Sequence, residues 1–178
     1  MFTRKRRCAV ALVAFALSSS YALAQTPHLG TPISAADIAA WDIDILPDGT
    51  GLPPGSGTAT QGAPIYAVKC ALCHGVNGEG GISLALIGGE LLTNGIDTGK
   101  TIGNLWQYAT TIFDYTRRAM PWLTPRTLSD DEVYALTAHL LEINDIISAD
   151  DVMNAETLPA VQMPNRDGFI DRFPELMP

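Results

Sequence analysis

Three side chains in this 178-residue sequence could hold a metal-bearing group together: Cys70, Cys73 and His74, in the run Cys70-Ala71-Leu72-Cys73-His74. A disulfide between two cysteines this near in sequence would close too small a ring to stabilise a fold much. A redox pair of the thioredoxin kind would need a βαβ setting, which the sequence pattern lacks. C-x-x-C-H is instead the attachment signature of c-type haem, in which two thiols add to the vinyl groups and the next residue places an imidazole under the iron. A zinc reading falls short, because two Cys and one His do not complete a four-ligand site and no second pair at finger spacing follows. The motif predicts a single covalent haem c, with His74 as one axial ligand.

The other axial ligand is sought among Met120, Met153, Met163, Met177 and His139, with His28 upstream. Met120 is favoured because Pro121 follows it: proline ends a helix and stiffens the chain, placing the thioether on a rigid loop. The alternative is that Met120 fills core space, as most methionines do. His139 belongs to a helix opened by the capping box Ser129-Asp130-Asp131-Glu132 and running through Ile143. At about 100° per residue, Val133, Leu136, Leu140 and Ile143 share one face and Tyr134, Ala138 and Leu141 a second. His139 falls with Glu132 and Glu142 on the polar side and reads as a solvated histidine. Met153 and Met163 lie in a Pro-containing tail and read as packing or surface.

The elements that position the motif follow. From Gln61 the spacing of Ile65, Val68 and Leu72 is helical and leads into Cys70. A Gly-rich loop over 75–89 would let backbone pass close to a porphyrin. Residues 104–119, with Trp106, Tyr108, Phe113 and Tyr115, read as one or two short helices. Residues 25–59 form an arm rich in turn residues, above all Asp48 to Gly57, with a helical turn near 34–41. Beyond Asn144 the pattern is irregular. The expected division is therefore a leader over 1–24, an arm over 25–59, a haem domain over 60–146 and a tail over 147–178. No internal repeat is visible, so the count is one haem.

Residues 1–24 carry the compartment argument. A basic start is followed by the apolar run Ala9 to Leu17 and by Ala22-Leu23-Ala24, a small-x-small site that a signal peptidase accepts. A membrane span would need about 18 to 20 apolar residues, and Ser18-Ser19-Ser20 interrupt the run. The expectation is export to the periplasm, with Cys8 leaving in the leader. The formal charge is −8, from 11 Lys and Arg against 19 Asp and Glu. Four of those basic residues (Arg4, Lys5, Arg6, Arg7) sit in the leader, so the remainder is more acidic still. Such a balance argues against nucleic-acid binding.

An all-α arrangement of three to five helices around one haem, with an irregular arm and tail, resembles the class I cytochromes c over about residues 60–146. In that family a Gly and an aromatic on the first helix meet an aromatic on the last; Gly62, Tyr66 and Tyr134 match, and Met120 follows the middle helix as the family's ligand does. Trp106, Arg118 and Arg126 are candidates for the haem propionates, with surface ion pairing as the alternative for the arginines. A narrower resemblance runs over nearly the whole chain beyond the leader. Ala40-Trp41-Asp42-Ile43-Asp44 with Asp48 to Gly57, Phe113-Asp114-Tyr115-Thr116-Arg117-Arg118-Ala119-Met120-Pro121, and Met163-Pro164-Asn165-Arg166-Asp167-Gly168-Phe169 are similar to the cytochrome subunits of bacterial sulfite dehydrogenases and of the sulfane dehydrogenase of the Sox sulfur-oxidation system.

That resemblance implies a periplasmic electron-transfer subunit paired with a molybdenum-cofactor dehydrogenase subunit and passing electrons to a downstream cytochrome c or oxidase. No nucleophile with its base and no carboxylate pair is present, so the chain is not expected to be a catalyst alone. Arm and tail would then dock the partner, or else cover the domain's own apolar flanks. Three other functions stay open. A free-standing periplasmic shuttle would not need the arm. The partner of an alcohol or other quinoprotein dehydrogenase would be reduced by alcohol. A haem gas sensor would want an open sixth position.

Overall fold

The computed structural model describes residues 29–39, 41–89 and 99–170. The leader expected over 1–24, with Cys8, and the residues His28 and Met177 lie outside them. The chain divides into two units, Met1–Trp41 and Asp42–Pro178. The described part of the first is a short helix, α1 (Ala35–Ala39), where a helical turn was expected. Ser34 and Asp37 cap it reciprocally: the Asp37 N–H donates to Ser34 Oγ, and the Ser34 N–H donates to Asp37 Oδ2. The Ser34 hydroxyl, which also donates to Asp37 Oδ2, and the Ser34 N–H hold the Asp37 carboxyl below the usual range.

The second unit contains β1 (Ser56–Gly57), α2 (Ala59–Lys69), α3 (Ala71–His74), α4 (Ile102–Leu105), α5 (Ala109–Ala119), α6 (Asp130–Glu142), β2 (Met153–Asn154) and a 3-10 turn over Leu158–Ala160. Among the described residues its regular structure is helical apart from the two-residue pairing of β1 and β2. α6 begins at the expected box: Ser129 Oγ accepts from the Glu132 N–H, and Glu132 returns a bond to the Ser129 N–H. Asp130, Asp131 and Glu132 in its first turn favour the helix dipole. α2 has its own box, Thr58 with Gln61, and so starts slightly before the spacing predicts.

α6 is the centre of the core. Every residue from Val133 to Leu141 except His139 is buried, because α2 and α5 both pack on α6 and β1 and β2 lie along it. The crossing with α2 is close enough that a Cβ at Gly62 would collide with the Ala135 carbonyl, and one at Gly57 with the Ala135 amide. Glycine is needed at these two positions because backbone meets backbone.

The aromatic pairing at the crossing differs from the simple match of Tyr66 with Tyr134. Tyr66 meets the His139 ring edge-on at 5.2 Å, and Tyr134 packs on Phe113 of α5 at 4.4 Å. His139 is correspondingly not the solvated histidine that the helical wheel suggests. Its side chain is 13% exposed, since the absence of a side chain at Gly62 brings α2 down over the polar flank of α6.

Arm and tail join the core. Ile45 is buried, and the Tyr134 hydroxyl donates to the Pro53 carbonyl at 2.8 Å. Ser56 pairs antiparallel with Asn154 and Gly57 with Met153. Met153, Leu158, Val161 and Met163 are buried in the same cluster as the helices. Burial of an aliphatic side chain on this scale contributes about 1.5–3 kcal/mol.

Candidate haem-binding site

α2 delivers the motif. Cys70 closes α2 with its N–H on the Tyr66 carbonyl, and its own carbonyl then accepts from the Cys73 and His74 N–H groups at 3.1 Å. α3 is thus a single turn carrying Cys73 and His74, ended by Gly75 at φ 84°, a left-handed conformation that suits glycine. The Tyr66 hydroxyl donates to the Gly75 carbonyl at 2.9 Å. Burial pushes the phenol up to about 12, reinforced by the negative charges that Cys70 and Glu79 can carry.

The Gly-rich loop folds back on this turn. Gly80 N–H donates to the His74 carbonyl and Ser83 N–H to the Cys73 carbonyl. His74 Nδ1 lies 3.0 Å from the Leu84 carbonyl oxygen. A carbonyl can only accept, so Nδ1 carries the proton and Nε2 keeps its lone pair for a metal. Asn144, just past α6, fixes the far side of the loop by donating to the Leu86 carbonyl at 3.2 Å. The two cysteines are free thiols. Burial pushes the Cys70 thiol up to about 11, against the pull of the Lys69 ammonium.

Large apolar side chains on the motif, this loop and the turn after α5 face outward. Leu84 is 79% exposed, Trp122 76% and Leu123 89%; Leu72, Val76 and Ile82 are similarly open. Met120 caps α5 with extended backbone, its N–H on the Thr116 carbonyl, and a cis peptide bond joins it to Pro121. The thioether therefore leaves the helix at its end.

A cleft of about 320 Å3 beside α5 is lined by Trp106, Thr111, Asp114, Tyr115, Arg118 and Ala119. It brings together two of the three propionate candidates, Trp106 and Arg118, with the Trp106 and Tyr115 rings 6.0 Å apart. Arg118 pairs with Asp114 on its own helix and with Asp44 at 3.0 Å. The Asp114 side chain is 10% exposed, and its Oδ1 is buried without a hydrogen-bond partner. Arg126 is exposed, has a positive φ of 63° and is not part of this cleft's lining.

A family model described as cytochrome c oxidase, cbb3-type, subunit III, matches residues 57–140. Among solved structures, the sulfane dehydrogenase SoxCD of Paracoccus pantotrophus matches with 41% identity and a TM-score of 0.73, over 83% of this chain and 73% of that one. The chain belongs to the class I c-type cytochromes related to sulfane dehydrogenase. No curated protein matches it.

A cytochrome c domain implies haem c, and the residues of this cytochrome fit the group. No disulfide ties up Cys70 or Cys73, the imidazole is held in the tautomer that a metal needs, and the surrounding apolar residues are left open by the chain itself. Cys70 and Cys73 would hold the vinyl side and His74 the iron. Among the described residues no helix is long and apolar enough to cross a membrane.

Some parts of this site were hidden from sequence reasoning. The Leu84 carbonyl is backbone and leaves no side-chain signal. Asp114 was detectable as an acid four residues before Arg118, but its burial was not.

Proposed function

We propose that this cytochrome is the electron-transfer subunit of a periplasmic molybdenum-dependent dehydrogenase that oxidises sulfite or sulfane sulfur. Cys70 and Cys73 would hold one haem through thioether bonds, with His74 and Met120 as the residues that would bind its iron. Haem, when bound, supplies a one-electron store, and its His/Met ligation favours a raised reduction potential. The chain's own residues hold it, exclude water from one face and set the imidazole proton on Nδ1. Trp106 and Arg118 would meet a propionate at the cleft beside α5; Arg126 is the third candidate.

The observation that carries the reading is the 41% identity to a sulfane dehydrogenase over 83% of the chain, a span that must include sequence beyond the haem domain. Residues 42–58 and 152–165 are committed to the core of their own unit, as the burial of Ile45, Met153, Leu158 and Met163 indicates. Within the arm, Leu29, Ile33, Ile38 and Trp41 are exposed and are offered as contacts for a partner.

Two measurements test this. Tagged protein drawn from its native periplasm should bring molybdenum with it and be reduced on adding sulfite or a sulfane-sulfur donor; deleting residues 29–41 should remove the molybdenum and leave the haem spectrum unchanged. Haem protein eluting alone and unreduced would favour the free shuttle. Met120→Ala should abolish the methionine-to-iron charge-transfer band at the red end of the spectrum, and an unchanged band would refute that ligand.

A further inference from the structure

The tail makes one set of polar contacts that packing of its apolar residues does not require. Asn165 is 7% exposed, and its Nδ2 donates to the Leu105 carbonyl at 2.8 Å. Gln107 Nε2 donates back to the Arg166 carbonyl at 3.0 Å. The Arg166 guanidinium lies 4.3 Å from the centre of the Tyr108 ring, within cation–π range. The tail is itself braced here by two turns, with the Arg166 N–H on the Met163 carbonyl and the Gly168 N–H on the Asn165 carbonyl. Residues 105, 107 and 108 are thus each gripped by the Asn165-Arg166 pair, and Trp106 lies among them.

The gripped segment is also held by Trp106, which packs against the core and on Tyr115, but the start of α5 has no side-chain cap of its own. Tyr108 is the N-cap residue of α5 and makes no side-chain cap hydrogen bond. Most helices satisfy their first N–H groups with a capping side chain; α5 begins without one. An α-helix of eleven residues moves nearly as a rigid rod, so a shift at Ala109 carries its far end with it. That far end is Met120.

We propose that Asn165 and Arg166 are positioning residues for the haem site: through segment 105–108 they hold Trp106 and the start of α5, and so fix where Met120 presents its thioether. The inference rests on the reading of Met120 as an axial ligand. It gives the motif Met163-Pro164-Asn165-Arg166-Asp167-Gly168 a role in electron transfer although it lies far along the chain from Cys70.

The experiment uses the full haem-loaded protein in its ferric state and measures the rate at which added imidazole displaces the thioether. Asn165→Asp keeps the shape and replaces the amide donor by an acceptor facing the Leu105 carbonyl; Gln107→Ala removes the reciprocal bond more gently. Asn165→Asp should speed displacement by about tenfold and Gln107→Ala by about threefold, the span that one hydrogen bond covers. Tyr134→Phe, which cuts the tether between α6 and Pro53 instead, should leave the rate unchanged. Unchanged rates in both Asn165→Asp and Gln107→Ala would overturn the proposal, as would equal acceleration in Tyr134→Phe, which would mean general loosening. Loss of the red band in Met120→Ala keeps the parent reading standing in either case; its persistence would show that the parent reading had failed.

Discussion

Where α2 crosses α6, the chain closes every surface itself; where α2 runs out into α3 and the Gly-rich loop, it does not. At the crossing, backbone meets backbone at Gly62 and Ala135 and the residues around them are buried. A few residues further along, Leu72, Val76 and Leu84 stand open beside an imidazole whose Nδ1 is already hydrogen-bonded. One region is finished by its own packing. The other is ordered in its backbone yet leaves its apolar side chains uncovered, as befits a bed shaped for a group that the polypeptide does not supply.

Substitutions can break or sharpen this contrast. The largest effect is expected from Gly62→Val. Backbone cannot yield there as a side-chain tip would, so the unfolding free energy should fall by about 3 kcal/mol or more, read from denaturant melts. A mild effect would mean that the crossing is looser than the contact indicates. Leu84→Ser should cost the haem-loaded protein about 1–2 kcal/mol by the area rule, although the chain itself leaves Leu84 79% exposed. A loss below about 0.5 kcal/mol, the usual range for a surface change, would erase the distinction between the two regions.

Smaller effects probe the closed region further. Tyr134→Phe removes the bond to the Pro53 carbonyl and should lower stability by about 1 kcal/mol, measurable as a shift of the melting midpoint. His139 gives a pH signature. Burial against Tyr66 holds its imidazole below the ordinary value of 6.5, with Glu142 pulling the other way. The unfolded chain therefore takes up this proton first, so stability is complete above about pH 6.5 and is lost as pH falls toward the folded value. Glu132 loses its own contribution only lower, because the Lys69 and Ser129 hydrogen bonds depress its carboxyl. Melting midpoints between about pH 7.5 and 5.5 should fall for the natural chain and fall less for His139→Gln. The least effect is expected from Lys69→Met, since the Lys69–Glu132 pair is about one-third exposed and such pairs contribute about 0–1 kcal/mol.

Much of the helical framework was legible because its signals are local. The box at Ser129 and Glu132, the apolar spacing through α6, and the stop at Pro121 each depend on residues within a turn of one another. The attachment motif is likewise contiguous. What escaped is what depends on distant chain. The burial of Met153, Leu158, Val161 and Met163 follows no helical or strand period, because the tail alternates a two-residue strand, a 3-10 turn and irregular backbone. His139 looked solvated on its own helix and became largely enclosed only because Gly62 lets another helix approach. Arg118 could be seen as a cation near Met120, but its partners Asp114 and Asp44 include one from a segment with no periodicity at all.

The pairing of β1 with β2 has a consequence for the order of assembly. It joins residues just before α2 to residues just after α6, so the ladder cannot form until almost the entire chain is available. A polypeptide made from its N-terminus presents Cys70, Cys73 and His74 well before Met153 and Asn154 exist to close over Gly57. The thiols are thus accessible for modification before the strand that closes over Gly57 has been made.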